Sequence, residues 1–335
     1  MTGLLDVQDL RVEIPTRRGV VHAVDGVSFS LGKGEALGLV GESGSGKSMT
    51  LRAMLGLLPR RGRIVAGHVI LEGTDLTALT PSALNAYRGR TISMIFQEPM
   101  TALNPVMRVG EQIAEGPQVH LGYDRRRAHR WAVELMRMVG IPDPEERARG
   151  YPHEFSGGMR QRVMIAIALS CRPKVILCDE PTTALDVTIQ DQILKLLVRL
   201  RHELGVGLVY VTHDLAVVAQ TCQRLAVMYA GQVVETGSVE AVFQEPRHPY
   251  TLGLLRSVPD FEKVQDTLES IPGQPPDLVL PPPGCRFHPR CPFVQDDCRS
   301  GSFPLRWVGA GRATACIHPD APAASVRRHP VIARA

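Results

Sequence analysis

Apolar and polar residues alternate over residues 4–12 and again over 20–31, the period-two pattern of half-buried strands. An unbroken apolar run follows, Ala36-Leu37-Gly38-Leu39-Val40, and predicts a strand buried on both faces. The next segment, SMTLRAMLGLL, reads as a helix, and strand text returns at His68-Val69-Ile70-Leu71 and over 91–96, ending at Gln97. Residues 98–172 change character. Trp131, Val133, Leu135, Met136 and Val139 are spaced for one helical face, which predicts a helical insertion. Strand text resumes at 175–178, 207–212 and 224–228, with helix-like residues 188–204 between the first two. Alternating β and α elements predict an α/β fold on a mostly parallel sheet.

Past residue 260 the composition shifts. Twelve of the 26 prolines lie between 271 and 335, and such text builds neither long helices nor central strands. Four of the seven cysteines fall there too, so residues 261–320 read as a small region held by something other than a hydrophobic core. Residues 321–335, rich in Ala, Arg and Pro, are expected to be a disordered tail.

Hydrophobic residues make up 44% of the 335 positions, enough for a proper core in the preceding 1–260. No run of about 18 uncharged apolar residues predicts a membrane span, and Asp6 and Asp9 mark the N-terminus as a strand, not a signal peptide. A membrane role would therefore need a partner subunit, and disulfides are not expected. The net charge of +4 is weak for nucleic-acid binding. Arg125-Arg126-Arg127 reads as a solvated helix face.

The chemistry concentrates in three places. GESGSGKS, Gly41 to Ser48, fits G-x-x-x-x-G-K-[ST] between a strand and a helix. Gly41, Gly44 and Gly46 let the backbone curl so that successive N–H groups face phosphate oxygens, and the following helix adds its dipole. Glu42, Ser43 and Ser45 complete the loop. Lys47 suits the β- and γ-phosphates and Ser48 suits Mg²⁺, with Thr50 a further candidate nucleotide contact. The second place is the strand Val175-Ile176-Leu177-Cys178, which ends in Asp179-Glu180. Asp179 suits a Mg²⁺ contact through water, and Glu180 is placed to polarise a water for attack on phosphate. Alone, such a pair would as readily end a strand in solvent. Third, Ser156-Gly157-Gly158 precedes the helix-like MRQRVMIAIAL, and reads either as an anion site at a helix N-terminus or as a plain Ser N-cap.

In order, the P-loop, Gln97, SGGMRQR, LCDEP, TALD (Thr183 to Asp186) and THD (Thr212 to Asp214) resemble the ATP-binding subunits of ABC transporters over essentially the whole chain. The resemblance implies an α/β P-loop NTPase core of the ABC ATPase type, with a helical insertion. It implies that Gln97 senses Mg²⁺ and water, and that Ser156, Gly157 and Gly158 bind the γ-phosphate held by an opposite subunit. Asp186 would couple the two sites, and His213 would contact the γ-phosphate and the attacking water. Two departures stand out. Met159 replaces the glutamine that usually ends the signature, and the stretch Thr16-Arg17-Arg18-Gly19-Val20-Val21-His22 has no aromatic residue to stack on adenine. Arg17, Arg18 or His22 could stack instead.

VMYAGQVVETG, PRHPYT, GCRFHPRCP and QEPMTALNP narrow the resemblance to the dipeptide/oligopeptide permease ATPases. That branch implies a second, related but different ATPase, two membrane permeases and an extracytoplasmic peptide-binding protein, with this chain peripheral on the cytoplasmic face. No nucleic-acid partner is implied. Nickel, glutathione or another small solute could replace peptide as cargo. A soluble ABC ATPase serving a nucleic-acid machine is the reading from another class, but such proteins usually carry two modules in one chain. A P-loop kinase leaves the signature unexplained.

Cys285, Cys291, Cys298 and Cys316 have the spacing C-x5-C-x6-C-x17-C, which matches no short paired zinc motif. Four thiolates suit a [4Fe–4S] cluster or a structural Zn²⁺, or no metal at all. The resemblance to peptide-permease ATPases favours the iron–sulfur cluster. Cys171, Cys178 and Cys222 sit in apolar text as core residues.

Overall fold

The computed structural model describes residues 3–183, 185–257, 270–309 and 311–323. The chain forms two compact units, one of residues 1–31, 36–78 and 211–335, the other of 32–35 and 79–210.

The first unit begins with β1 (Leu5–Thr16) and β2 (Gly19–Leu31), paired antiparallel from Leu5↔Leu31 to Thr16↔Gly19. Leu5, Val7, Leu10 and Val12 are all 1% exposed or less. Strict alternation would turn residue 10 outward. A register shift between Val7 and Leu10, with Asp9 at φ 45, inserts the extra residue that keeps both pairs on one face. β3 (Ala36–Val40) is buried at all five positions, as its apolar run requires, and leads into α1 (Lys47–Met54). β4 (Arg63–Leu71) and the short β5 (Thr74–Asp75) complete an antiparallel sheet of order β2-β1-β4-β5.

The second unit opens with α2 (Pro81–Asn85) and β6 (Ile92–Ile95). Its insertion follows: α3 (Pro99–Ala102), α4 (Val109–Leu121), α5 (Arg125–Met138), α6 (Pro144–Arg147) and α7 (Gly157–Leu169). On α5 the apolar face buries Ala128, Ala132, Val133, Leu135 and Met136, while the Trp131 indole N–H donates to Ser170 O at 2.8 Å and ties α5 to the end of α7. β7 (Val175–Asp179) runs parallel to β6, Ile92↔Val175 to Ile95↔Cys178, and α8 (Val187–Leu204) leads to β8 (Gly207–Thr212). The strand order here is β8-β7-β6.

The chain then re-enters the first unit through α9 (Leu215–Thr221), β9 (Arg224–Tyr229) and β10 (Gln232–Ser238). β9 pairs parallel with β3, Leu37↔Arg224 to Val40↔Val227, and antiparallel with β10. α10 (Val239–Gln244) and α11 (Pro249–Arg256) follow. The cysteine-rich region adds β11 (Arg306–Gly309), β12 (Arg312–Thr314) and α12 (Asp320–Ala323).

The cysteine-rich region, expected to be held by something other than a hydrophobic core, clusters with residues 1–31 and 36–78 and extends their sheet in the order β11-β12-β10-β9-β3. It also owns apolar packing: Phe287 is 2% exposed and meets Tyr229 edge-on, ring centres 5.2 Å apart, and Tyr250 at 5.4 Å. The expected tail from residue 321 starts instead inside α12, and 324–335 lie outside the described residues, as does the boundary drawn at 260.

Candidate nucleotide site

In the first unit the loop after β3 turns through Gly41, Gly44 and Gly46 at φ 154, 80 and 103. A Cβ on Gly41 would strike the Met228 carbonyl and one on Gly46 the Ala23 carbonyl, whereas nothing lies within 4 Å of the position a Cβ would take on Gly44. Two glycines thus let the loop seat against its neighbours, and the third faces open space where a ligand can approach. Gly46 caps α1 without a side-chain hydrogen bond, so the first N–H groups of the helix are offered to an anion. Lys47 is buried, and its ammonium donates to Gly41 O at 2.8 Å and Glu42 O at 2.9 Å. Its charge is thereby held inside the loop that would wrap phosphates. Ser48 is half-buried beside it, while Ser43 is exposed and Ser45 buried. Thr50 is 0% exposed and its hydroxyl donates to Gly46 O at 3.0 Å, so it braces the turn. In the same unit His213 stands exposed directly after β8, where Asp214 caps α9 by accepting from Ala216 N–H at 2.8 Å.

In the second unit Asp179 closes β7 at 2% exposure. Glu180 adopts φ 45, a left-handed conformation that costs a non-glycine residue about 1–3 kcal/mol. Thr183 secures it, its N–H donating to Glu180 O at 3.3 Å and its hydroxyl to Glu180 Oε2 at 2.8 Å. The Gln97 amide reaches the same Oε2 at 3.3 Å. Gln97 and Glu180, 83 positions apart, are therefore brought together, with one carboxylate oxygen aimed by two donors. Such a carboxylate can orient and deprotonate a water.

Ser156 is the N-cap of α7, accepting from Met159 N–H at 3.3 Å, and Asp186 is the N-cap of α8, accepting from Ile189 N–H at 2.9 Å. The plain-cap reading of Ser156 is thus realised, but the serine and both following glycines stay solvent-accessible at the helix start. Gly158 has a packing reason to be glycine: a Cβ there would lie 2.6 Å from Ile189 Cγ2.

Cys285, Cys291, Cys298 and Cys316 converge on one pocket, walled by Phe287 and Phe293. Cys285 N–H donates to Cys298 O at 2.9 Å, closing the loop between them. Burial pushes the Cys291 thiol up to about 11 and the Cys316 thiol up to about 12, so a metal must displace protons to bind. Among the described residues a tight donor group, Asp297, Cys298 and His318, has its ligand atoms within 4.8 Å of one another. Four thiols around one pocket are a donor set of the kind that can hold a metal centre.

Sequence reasoning missed Tyr250 and Arg290, which reach the phosphate loop from the C-terminal side: Glu42 N–H donates to the Tyr250 hydroxyl at 2.7 Å, and Arg290 pairs with the Glu42 carboxylate. Both belong to segments that stood out in the sequence, PRHPYT and GCRFHPRCP, yet no spacing rule links them to residue 42.

A family model for ABC transporter matches residues 24–183, and one for the oligopeptide/dipeptide transporter C-terminal region matches 234–298. The chain is 49% identical over 317 residues to the oligopeptide transport ATP-binding protein OppD of Escherichia coli, covering 95% of this chain and 94% of that one. It is 50% identical over 315 residues to a probable peptide ABC transporter ATP-binding protein of Sinorhizobium fredii, covering 93% and 94%. A solved dimeric ATP-binding cassette in a post-hydrolysis state, bound to ADP and phosphate, overlays with a TM-score of 0.62 at 27% identity, covering 70% of this chain and 98% of that chain. Fold and motifs together define an ATP-binding cassette, an enzyme that hydrolyses ATP. With near-full-length relatives at this identity, the chain belongs to the ABC transporter family, among its oligopeptide/dipeptide transport ATP-binding proteins. No described helix is long and apolar enough to cross a membrane.

Proposed function

We propose that this chain hydrolyses ATP to drive import of di- or oligopeptides across the cytoplasmic membrane, bound peripherally at the cytoplasmic face. The observation that carries the reading is that similarity to peptide-transport ATPases does not stop at the cassette but continues through 234–298. The backbone of Gly41 to Gly46 and the start of α1 receive the phosphates, with Lys47 released from the Gly41 and Glu42 carbonyls to pair with them. Ser48, Gln97 and Asp179 would hold Mg²⁺, which neutralises phosphate charge when bound. Glu180 takes a proton from water as its oxygen attacks the γ-phosphorus, and the bond to the β-phosphate oxygen breaks. His213 donates to the γ-phosphate. Ser156, Gly157 and Gly158 serve the nucleotide of a second, related ATPase, and Asp186, at the head of α8, couples the two sites. The remaining partners are two permeases, which dock on residues 98–148, and an extracytoplasmic peptide-binding protein.

The test is capture of tagged Glu180→Gln protein with ATP from native membranes. Recovery of two permeases and a second ATPase supports the importer. Recovery of ribosomal or DNA-repair proteins without permeases overturns it. Uptake of labelled dipeptide against nickel and glutathione separates peptide from the other cargoes.

A second reading concerns the four cysteines. Their shared pocket supports a four-thiolate centre, read here as a structural [4Fe–4S] cluster, with Zn²⁺ as the alternative. Iron and acid-labile sulfide in protein purified without oxygen would bear this out. Stoichiometric zinc without iron would overturn it.

A further inference from the structure

The second residue of the phosphate loop is an acid. Glu42 carries a negative charge into the segment proposed to wrap a polyanion, where an uncompensated carboxylate repels the ligand. Its surroundings answer that charge. Arg290 grips both oxygens, Nη1 to Oε2 at 2.7 Å and Nη2 to Oε1 at 2.9 Å, the two-pronged geometry that fixes direction as well as charge. The Arg290 side chain is 4% exposed and that of Glu42 28%. The guanidinium is itself located by Pro272 O at 2.9 Å and Ile271 O at 3.3 Å.

Every polar group of Glu42 is committed. Its N–H donates to Tyr250, and its carbonyl accepts from Lys47 at 2.9 Å and from Ser45 N–H at 3.2 Å. The resting place of the Lys47 ammonium therefore depends on where the residue 42 peptide is held. Arg290 stands in the loop between Cys285 and Cys291, so the holding group comes from the cysteine-rich region.

We infer that Arg290 is a positioning residue for nucleotide binding: it neutralises the Glu42 carboxylate and fixes the first turn of the phosphate loop, so that the cysteine-rich region is part of the nucleotide site's support. The inference rests on the reading of Gly41 to Ser48 as the phosphate loop.

The test uses full-length protein and affinity for a fluorescent ATP analogue, with fluorescent adenosine as the uncharged comparison. Arg290→Met exposes the Glu42 charge and should weaken ATP binding about tenfold, with adenosine binding little changed. The defect should shrink as salt rises, since screening shortens from about 10 Å at 0.1 M to about 3 Å at 1 M. Adding Glu42→Gln to Arg290→Met should recover most of the lost affinity, a rescue that a merely structural contact would not give. Arg290→Lys keeps a positive charge beside Glu42 but loses the two-pronged grip, and should weaken ATP binding only a few-fold, which keeps the idea testable if Arg290→Met does not fold. A double variant no better than Arg290→Met, or an Arg290→Lys protein with ATP binding weakened tenfold or more, would overturn it. Lys47→Ala reports separately on the phosphate loop: unchanged ATP affinity there removes that reading, and this inference with it.

Discussion

The contact between Gly158 and Ile189 allows a sharp prediction about the head of α7. A methyl at position 158 would sit 2.6 Å from Ile189 Cγ2, against a comfortable carbon–carbon separation of about 3.5–4.0 Å. The overlap is therefore about 1 Å. Ile189 lies in the first turn of α8, where a β-branched side chain has one strongly preferred rotamer and cannot swing its methyl aside. The strain must move one helix start against the other or be stored, at about 1–3 kcal/mol. If Ser156 to Gly158 serve a nucleotide on the opposite subunit, a shift of about 1 Å there should lower the ATPase rate of the assembled transporter about 100-fold. ATP binding by the phosphate loop of the same chain should be unaffected. Steady-state phosphate release and binding of a fluorescent ATP analogue separate the two. Ile189→Ala removes the offending methyl and should restore the rate in the Gly158→Ala background, whereas Ile189→Val keeps the branch and should not. A fully active Gly158→Ala protein, or rescue by Ile189→Val alone, would refute the argument.

Other outcomes follow from the same geometry. Glu180→Gln should hydrolyse ATP at least about 100-fold more slowly while binding it normally; near-normal turnover in a single-round assay removes Glu180 from the base role. Glu235 is 0% exposed and accepts from Arg247 N–H, His248 N–H and the Arg312 guanidinium at 2.8, 2.9 and 3.1 Å. Glu235→Gln leaves a buried cation short of its partner and should cost about 3 kcal/mol, read as a lower urea midpoint; a change within about 0.5 kcal/mol counts against the pair's tie to β12. His248 is depressed by burial from 6.5 to about 3. Its stabilisation is complete above the unfolded value and drains as pH falls. Between about pH 7.5 and 5.5 the wild type should lose about 1.4 kcal/mol more than His248→Asn, and parallel urea curves would contradict this.

The parts of the fold that were legible in the sequence are those whose meaning is local. The apolar run of β3, the glycines at 41, 44 and 46, and the Asp179-Glu180 strand end each carry their geometry within a few residues. The bulge at Asp9 was not legible, because an alternation that slips by one residue looks like a weaker alternation until the pairing with β2 is seen. The left-handed Glu180 was not legible either, since no side-chain preference announces it and Thr183 holds it only once the turn exists. The role of Thr50 in bracing the turn was not legible either, because a threonine hydroxyl is spent on a carbonyl one helical turn away only once the helix exists.

The least legible feature is the longest in reach. Residues 42 and 290 are 248 positions apart, and nothing in GESGSGKS asks for an arginine. Once the sheet order is known, the need becomes plain. β10 places Glu235 against β12, α11 brings Tyr250 beneath the loop, and Phe287 packs on Tyr229 and Tyr250. Each step carries the cysteine-rich segment toward residue 42. A proline-rich segment thus closes one wall of the phosphate loop, through an aromatic cluster that composition alone could not reveal. The acid at position 42 is tolerable because that wall supplies its counter-charge.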